Sequence, residues 1–290
     1  MNNAFLIILI SLWRALVLLP RWLQLILSSF IGLLFYLIPI KRNKYSKINI
    51  DLCFPNKTPE ARKNIFKRNV ISSGQVFFDT GIAWFWNSKR IKKNISYEIN
   101  GLSKLLKDQA SNKGILLFFK HSLHLELDSR ILGMHAEIYG VEREHNSKYF
   151  QSIQRKGRLK SMLDVVDRKN TIRFIKWLKD GKTVLYAPDQ DYGMKKSNEI
   201  KFFNHPAATV SAPFKIIQKT NCKTYFLNSY FKKYKLFIDI EELTFSDTEE
   251  IGFSKNLNNY IEAKIKLNPH EYLWQHRRFK STLGKNKIYK

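Results

Sequence analysis

Cysteine is nearly absent from this chain: only Cys53 and Cys222 occur in 290 residues. Two such distant thiols build neither a disulfide framework nor a four-ligand zinc site, and a reducing compartment is the economical setting. Proline and glycine are sparse too, at 8 and 12 residues. No Pro/Gly/Ser linker, internal repeat or long low-complexity tract interrupts the chain, so one large domain or two small ones are expected. The 44% of hydrophobic residues is enough to fill such a core. Acidic residues are the third deficit. Asp and Glu number 24 against 50 Lys and Arg, a formal charge of +26, and no acid precedes Asp51. That surplus bears on partners rather than on fold: nucleic acid, anionic lipid and acidic carrier proteins would all be attracted. A chain rich in Lys, Asn and Ile throughout accounts for part of it.

What replaces charge at the start is hydrocarbon. From Ala4 to Ile40 the chain is almost wholly apolar, broken by Arg14, Pro20, Arg21 and a few small polar residues. Pro20-Arg21 divides it, and at ~1.5 Å per residue the second piece is about 28 Å long, near the thickness of a bilayer's hydrocarbon core. Trp13, Trp22 and Tyr36 suit interfacial positions. A cleaved signal peptide fits poorly, because no Lys or Arg opens the segment and no small-x-small site closes it. A buried hairpin is the alternative to an uncleaved anchor. We read residues 1–40 as an N-terminal hydrophobic membrane-anchor helix and residues 41–290 as the soluble domain. "KRNKYSK" (Lys41 to Lys47) places that domain in the cytoplasm by the positive-inside rule. Whether residues 4–19 insert or lie in the interface stays open.

Thr58-Pro59-Glu60 reads as a helix start, with Thr as N-cap and Pro at the first position. That helix continues, with a break near Ser72–Gly74, into the aromatic segment "FFDTGIAWFW" (Phe77 to Trp86), either core or a membrane-contacting surface. Beyond it short apolar runs alternate with helical patterns. Strands are expected at 95–99, 114–119, 136–141, 183–187, 223–231 and 235–240. Helices are expected at 102–109, 122–132, 147–156, 170–179, 208–219 and 251–267. This alternation predicts an α/β fold with a mixed, largely parallel sheet flanked by helices, its last two strands an antiparallel hairpin at one edge.

On that scheme "KHSLHLELDSR" (Lys120 to Arg130) falls at the carboxyl end of a strand, where ligands of open α/β sheets bind. Four residues separate His121 from Glu126. A carboxylate reaching back to one imidazole nitrogen would fix the tautomer and leave the other nitrogen to take a proton. His124 and Asp128, four apart, read as an ordinary surface pair. A zinc site from His121, His124 and Glu126 lacks the two-histidine spacing of helical zinc proteases, and a merely polar helix start is the other alternative.

Further blocks add to this. "VLYAPDQDYG" (Val184 to Gly193) and "HEYLWQHRRFKS" (His270 to Ser281) resemble the late acyltransferases of lipid A biosynthesis, the lauroyl/myristoyl acyltransferase family. "HSLHLE" then matches that family's histidine-x4-acid motif, and "INIDLCFP" and "FFDTGIAWFW" resemble its earlier segments. The resemblance implies an enzyme on the cytoplasmic face of a Gram-negative inner membrane, anchored among anionic lipids. Its donor would be a fatty acyl thioester on acyl carrier protein. Its acceptor would be a 3-hydroxyacyl hydroxyl of a Kdo-bearing lipid IVA precursor. It further implies His121 as base and Glu126 as its partner. Arg143 would contact the acceptor or the thioester carbonyl, and Asp189 and Asp191 would shape the site and hold Arg or Lys side chains. Arg277 and Arg278 would bind phosphate or brace that loop. No cofactor, no metal and no nucleic acid are expected. Ser122 and Glu144 depart from the family's usual residues. Two competing readings are a glycerophosphate acyltransferase and a non-enzymatic binder of anionic lipid or nucleic acid.

Overall fold

A computed structural model of the protein describes residues 3–245 and 249–290. Six helices come first: α1 (Asn3–Val17), α2 (Arg21–Leu37), α3 (Lys41–Cys53), α4 (Pro59–Ser73), α5 (Gln75–Phe85) and α6 (Ser88–Asn94). Alternation then sets in, with β1 (Tyr97–Asn100), α7 (Leu102–Ala110), β2 (Ile115–Phe119), α8 (Leu125–Leu132), β3 (Tyr139–Glu142), α9 (Lys148–Arg158), β4 (Asp164–Asp167), α10 (Thr171–Lys179) and β5 (Thr183–Tyr186). A hairpin of β6 (Ser197–Phe202) and β7 (His205–Val210) precedes α11 (Ala212–Thr220), β8 (Lys223–Lys232), β9 (Lys235–Leu243) and α12 (Glu250–Leu267).

Seven strands form one sheet in the order β1-β9-β8-β2-β5-β3-β4, parallel except between β8 and β9. The expected mixed, largely parallel architecture is therefore present. The β8–β9 hairpin is not the edge, because β1 pairs alongside β9. Strand β2 reads "ILLFF" because both of its faces are covered, as central parallel strands require. Ile115 and Leu117 pack into a cluster with α1, α5 and α8, whereas Leu116 and Phe118 pack into a second cluster with α3, α10, α11 and α12.

The expected single anchor helix is not what forms. Pro20, lacking an N–H, ends the first helical run and caps the second, and α2 meets α3 at 83°. No single described helix is long and apolar enough to cross a membrane; the bent α2–α3 pair passes only by length and composition. Instead α1 and α2 pack against the folded domain with their few polar groups turned inward. Buried Gln24 donates to the carbonyls of Val17 and Leu19 (2.8 and 2.9 Å), satisfying the free end of α1. Arg21 pairs with buried Asp79 at 2.8 Å. Gly32 lies so close to α4 that a Cβ there would sit 2.0 Å from the carbonyl oxygen of Ile71. Trp13, expected at an interface, is buried and donates to Phe77 O (2.9 Å). The outward faces are hydrocarbon: Phe5, Ile8, Leu12, Trp22, Ile26, Phe30 and Leu37 are all more than half exposed. Trp22 is exposed. Most of the aromatic segment at 77–86 is core, with Phe78, Ile82, Trp84 and Trp86 buried and Phe77 left at the surface.

Candidate active site

Parallel register assembles the site. Phe118 of β2 lies beside Tyr186 of β5, so His121 and Asp189, each three residues further on, emerge side by side at the carboxyl edge. Gly140 of β3 lies beside Leu185, which brings Arg143 to the same edge one strand over. Asp189 grips His121 twice. Its Oδ2 accepts the His121 backbone N–H at 2.9 Å and its Oδ1 accepts Nδ1–H at 2.6 Å. The carboxylate is sealed at 0% exposure while the imidazole keeps 17%. Burial pushes the Asp189 carboxyl up, but the charge and hydrogen bonds of His121 outweigh it and hold the group at about 2. A permanently ionised Asp189 fixes the Nδ1–H tautomer, which leaves Nε2 as the proton acceptor on the partly open side.

The orienting carboxylate is therefore Asp189, not Glu126. Glu126 points away from His121, into a bidentate pair with the Arg158 guanidinium, and also accepts Trp84 Nε1–H at 2.8 Å. Burial raises its carboxyl, yet Arg158 and Trp84 bring it below the ordinary range. Arg158 also donates to buried Glu142 at 2.6 Å, so one cation joins α8, α9 and the end of β3. Five residues of local helix geometry aim Glu126 at α9 and α5 rather than back over the turn. Glu126 thus braces the helix that follows His121. Spacing alone did not reveal Arg158, 32 residues away.

His124 and Asp128 are not a surface pair either. Both are buried, with Nδ1 to Oδ1 at 2.7 Å, and Asp128 also accepts the hydroxyls of Ser122 (2.8 Å) and Ser229 (2.6 Å). Glu271 lies 3.6 Å from His124 Nε2, and buried Lys120 donates to Asn228 and Ser229. Burial alone would discharge His124, but Asp128 and Glu271 raise it to about 10. A raised pKa contributes stability that is complete below about 6.5 and is lost as pH rises through about 10. The unfolding free energy should accordingly fall between those values. Denaturant titrations at pH 6.5 and 10 should show a smaller fall for His124→Gln than for the native chain. The three residues a zinc reading would recruit are each held by a different partner: Asp189, Asp128 and Arg158.

The other expected site residues divide. Asp191 is buried and holds the carboxyl-terminal segment, with Lys280 3.8 Å from its carboxylate. Its carboxylate accepts Gly193 N–H (2.9 Å), Ser281 N–H (2.9 Å) and the Ser281 hydroxyl (2.7 Å), while its N–H donates to His276 Nε2 (3.0 Å). That bond needs a neutral imidazole, and burial does lower His276 to about 4. Arg278 is likewise structural. It is buried, lies over the Phe202 ring and donates to Ala208 O (2.7 Å), so it braces the β6–β7 hairpin. Arg277 lies over the Tyr45 ring, half-buried. Arg143 is exposed; burial and the Asp189 charge raise the Tyr192 hydroxyl, and the charges of Arg168 and Arg143 only partly offset them. Arg168 and Tyr192 join the site unforeseen, the guanidinium 4.7 Å above the ring.

Fold and site together define an α/β protein with a histidine–aspartate pair at the carboxyl edge of a largely parallel sheet. Comparison with known proteins gives the family. Residues 2–281 match the bacterial lipid A biosynthesis acyltransferases, and the chain belongs to that family. It is similar to the lipid A biosynthesis palmitoleoyltransferase of Escherichia coli, 31% identical over 289 residues, covering 96% of this chain and 94% of that one. It is 33% identical over 246 residues to the lipid A biosynthesis lauroyltransferase of the same organism, covering 83% and 80%. A lipid A biosynthesis acyltransferase of Haemophilus influenzae is 32% identical over 281 residues, covering 94% and 89%. The protein is thus an acyltransferase.

Proposed function

We propose that this enzyme moves a fatty acyl chain from acyl carrier protein to a 3-hydroxyacyl hydroxyl of a Kdo-bearing lipid IVA precursor, at the cytoplasmic face of the inner membrane. The observation that carries the mechanism is the 2.6 Å contact between His121 Nδ1 and buried Asp189, which leaves Nε2 free on the open side. An aliphatic hydroxyl is a weak nucleophile near neutral pH, and a positioned base contributes ~10²–10⁴ in rate. The hydroxyl proton passes to His121 Nε2 as the oxygen attacks the thioester carbonyl carbon. Asp189 stabilises the imidazolium, and the Arg143 guanidinium attracts the developing oxyanion. The tetrahedral intermediate expels the thiolate, which takes the proton back from His121, and an acyloxyacyl ester remains. No nucleophile from the protein is needed.

Membrane association is argued from the hydrocarbon faces of α1 and α2. Stripes of this kind, turned away from a domain that buries the polar side of the same helices, suit in-plane contact with lipid acyl chains. Incubating the purified chain with acyl carrier protein thioester and the Kdo-bearing precursor tests the assignment. The expected lipid product is heavier by one acyl group, attached through an alkali-labile ester in mass spectra. Acylation of glycerol phosphate and not of the lipid A precursor would overturn the assignment.

A further inference from the structure

A concavity of about 440 Å³ opens between the starts of α10 and α11 and the segment that follows the Asp189 loop. Four lysines line it: Lys195, Lys196, Lys215 and Lys219. Glu250 is the only acid among the lining residues and is taken by Lys215, at 3.5 Å. The three other lysines pair with no acid among the described residues. Apolar side chains stand among them, with Ile175 and Ala212 half-buried in the lining. Cations around apolar side chains are the composition of a protein-binding surface, since a purely ionic patch would lack the latter.

Position narrows the partner. Lys195 lies six residues beyond Asp189, along the loop whose Tyr192 carries Arg168 over its ring. Yet α10 and α11 pack on the sheet face opposite α1 and α2: Ile175, Ile216 and Ile217 belong with one core cluster, and Ile10, Val17, Leu27 and Ile31 with the other. The groove follows the Asp189 loop along the chain but lies on the far layer from the hydrocarbon helices. A bilayer met by α1 and α2 would be reached from the other layer, whereas a soluble acidic protein can approach here. We propose that this lysine groove docks an acidic helix of the acyl carrier protein, delivering its thioester along the 189–196 loop to His121. The proposal rests on the carrier-protein donor argued above.

Steady-state transfer to the Kdo-bearing precursor should be measured for native protein and for the triple variant Lys195→Glu, Lys196→Glu, Lys219→Glu. Each would be given two donors, acyl carrier protein thioester and the coenzyme A thioester of the same acyl chain, the latter presenting the bond without the protein. With the carrier, KM should rise at least tenfold while kcat changes less than twofold, and the native KM should rise steeply with salt. With coenzyme A, both parameters should stay within twofold of native. An unchanged carrier KM overturns the docking site and leaves the donor reading intact. Equal losses with both donors, or loss of sedimentation with anionic vesicles, overturn it in favour of a general or lipid-binding role. Native protein that accepts only coenzyme A overturns the donor reading and this proposal together.

Discussion

His121→Ala should lower acyl transfer about 10³-fold, within the ~10²–10⁴ that a positioned base contributes, while the melting temperature and membrane association stay near native. Among the described residues its side chain hydrogen-bonds to Asp189 alone, and it keeps an exposed edge, so its removal leaves a site open to solvent. Asp189→Asn should be nearly as damaging, by roughly 10²–10⁴, since an amide can neither impose the Nδ1–H tautomer nor stabilise the imidazolium. Its effect on folding has a pH signature of its own. The folded carboxyl is held at about 2, below its ordinary value, so its contribution is present above about 4 and is lost as pH falls through about 2. The two variants should be no worse combined than singly, because the pair acts as one unit. Asp189→Asn with full activity beside an inactive Glu126→Gln would return the orienting role to Glu126.

The difference between those two carboxylates marks where sequence reading stopped. His121 was legible because an apolar run ending in a polar turn announces the carboxyl end of a strand. Its partner was not, because local spacing favours a residue five positions on, whereas parallel register joins residues 68 apart. The alternation behind the α/β prediction was equally plain in "GILLFF" and "TVLYA". Strand β4 escaped because "DVVD" offers only two apolar residues between charges. Strand β7 was absorbed into a helix expected from 208, although Pro213 marks the true start near Ala212, where proline belongs. In the amino-terminal segment hydropathy was read correctly and architecture was not. Gln24, Ser28 and Gly32 are a thin polar seam that an average over the window hides, and that seam is the side of α2 packed on the protein. Polar residues buried by tertiary contact, like Asp128 and Arg278, look like surface in one dimension.

Arg158→Leu should destabilise the fold by about 3–5 kcal/mol, the usual cost of removing one member of a buried ion pair. The substitution strands Glu126 and Glu142 together, with Glu142 almost fully enclosed, although Gln151 and Gln154 still donate to it. Thermal unfolding should report the loss, and the sign of its pH dependence identifies the cause. In the native protein the Glu126 carboxyl is below its ordinary value, so its stabilising effect is lost as pH falls; in the variant only the Trp84 hydrogen bond opposes burial, so acid relieves the strain. The gap between the two proteins should therefore narrow from pH 7 to pH 4. Glu126→Gln should cost less, because Arg158 retains Glu142 and the amide can still accept from Trp84. Catalysis separates bracing from chemistry. If Glu126 acts by holding α8 behind His121, Glu126→Gln lowers the transfer rate without displacing the pH–rate profile, while Asp189→Asn displaces it. A displaced profile in Glu126→Gln would mean that this carboxylate shares the proton chemistry of His121 after all.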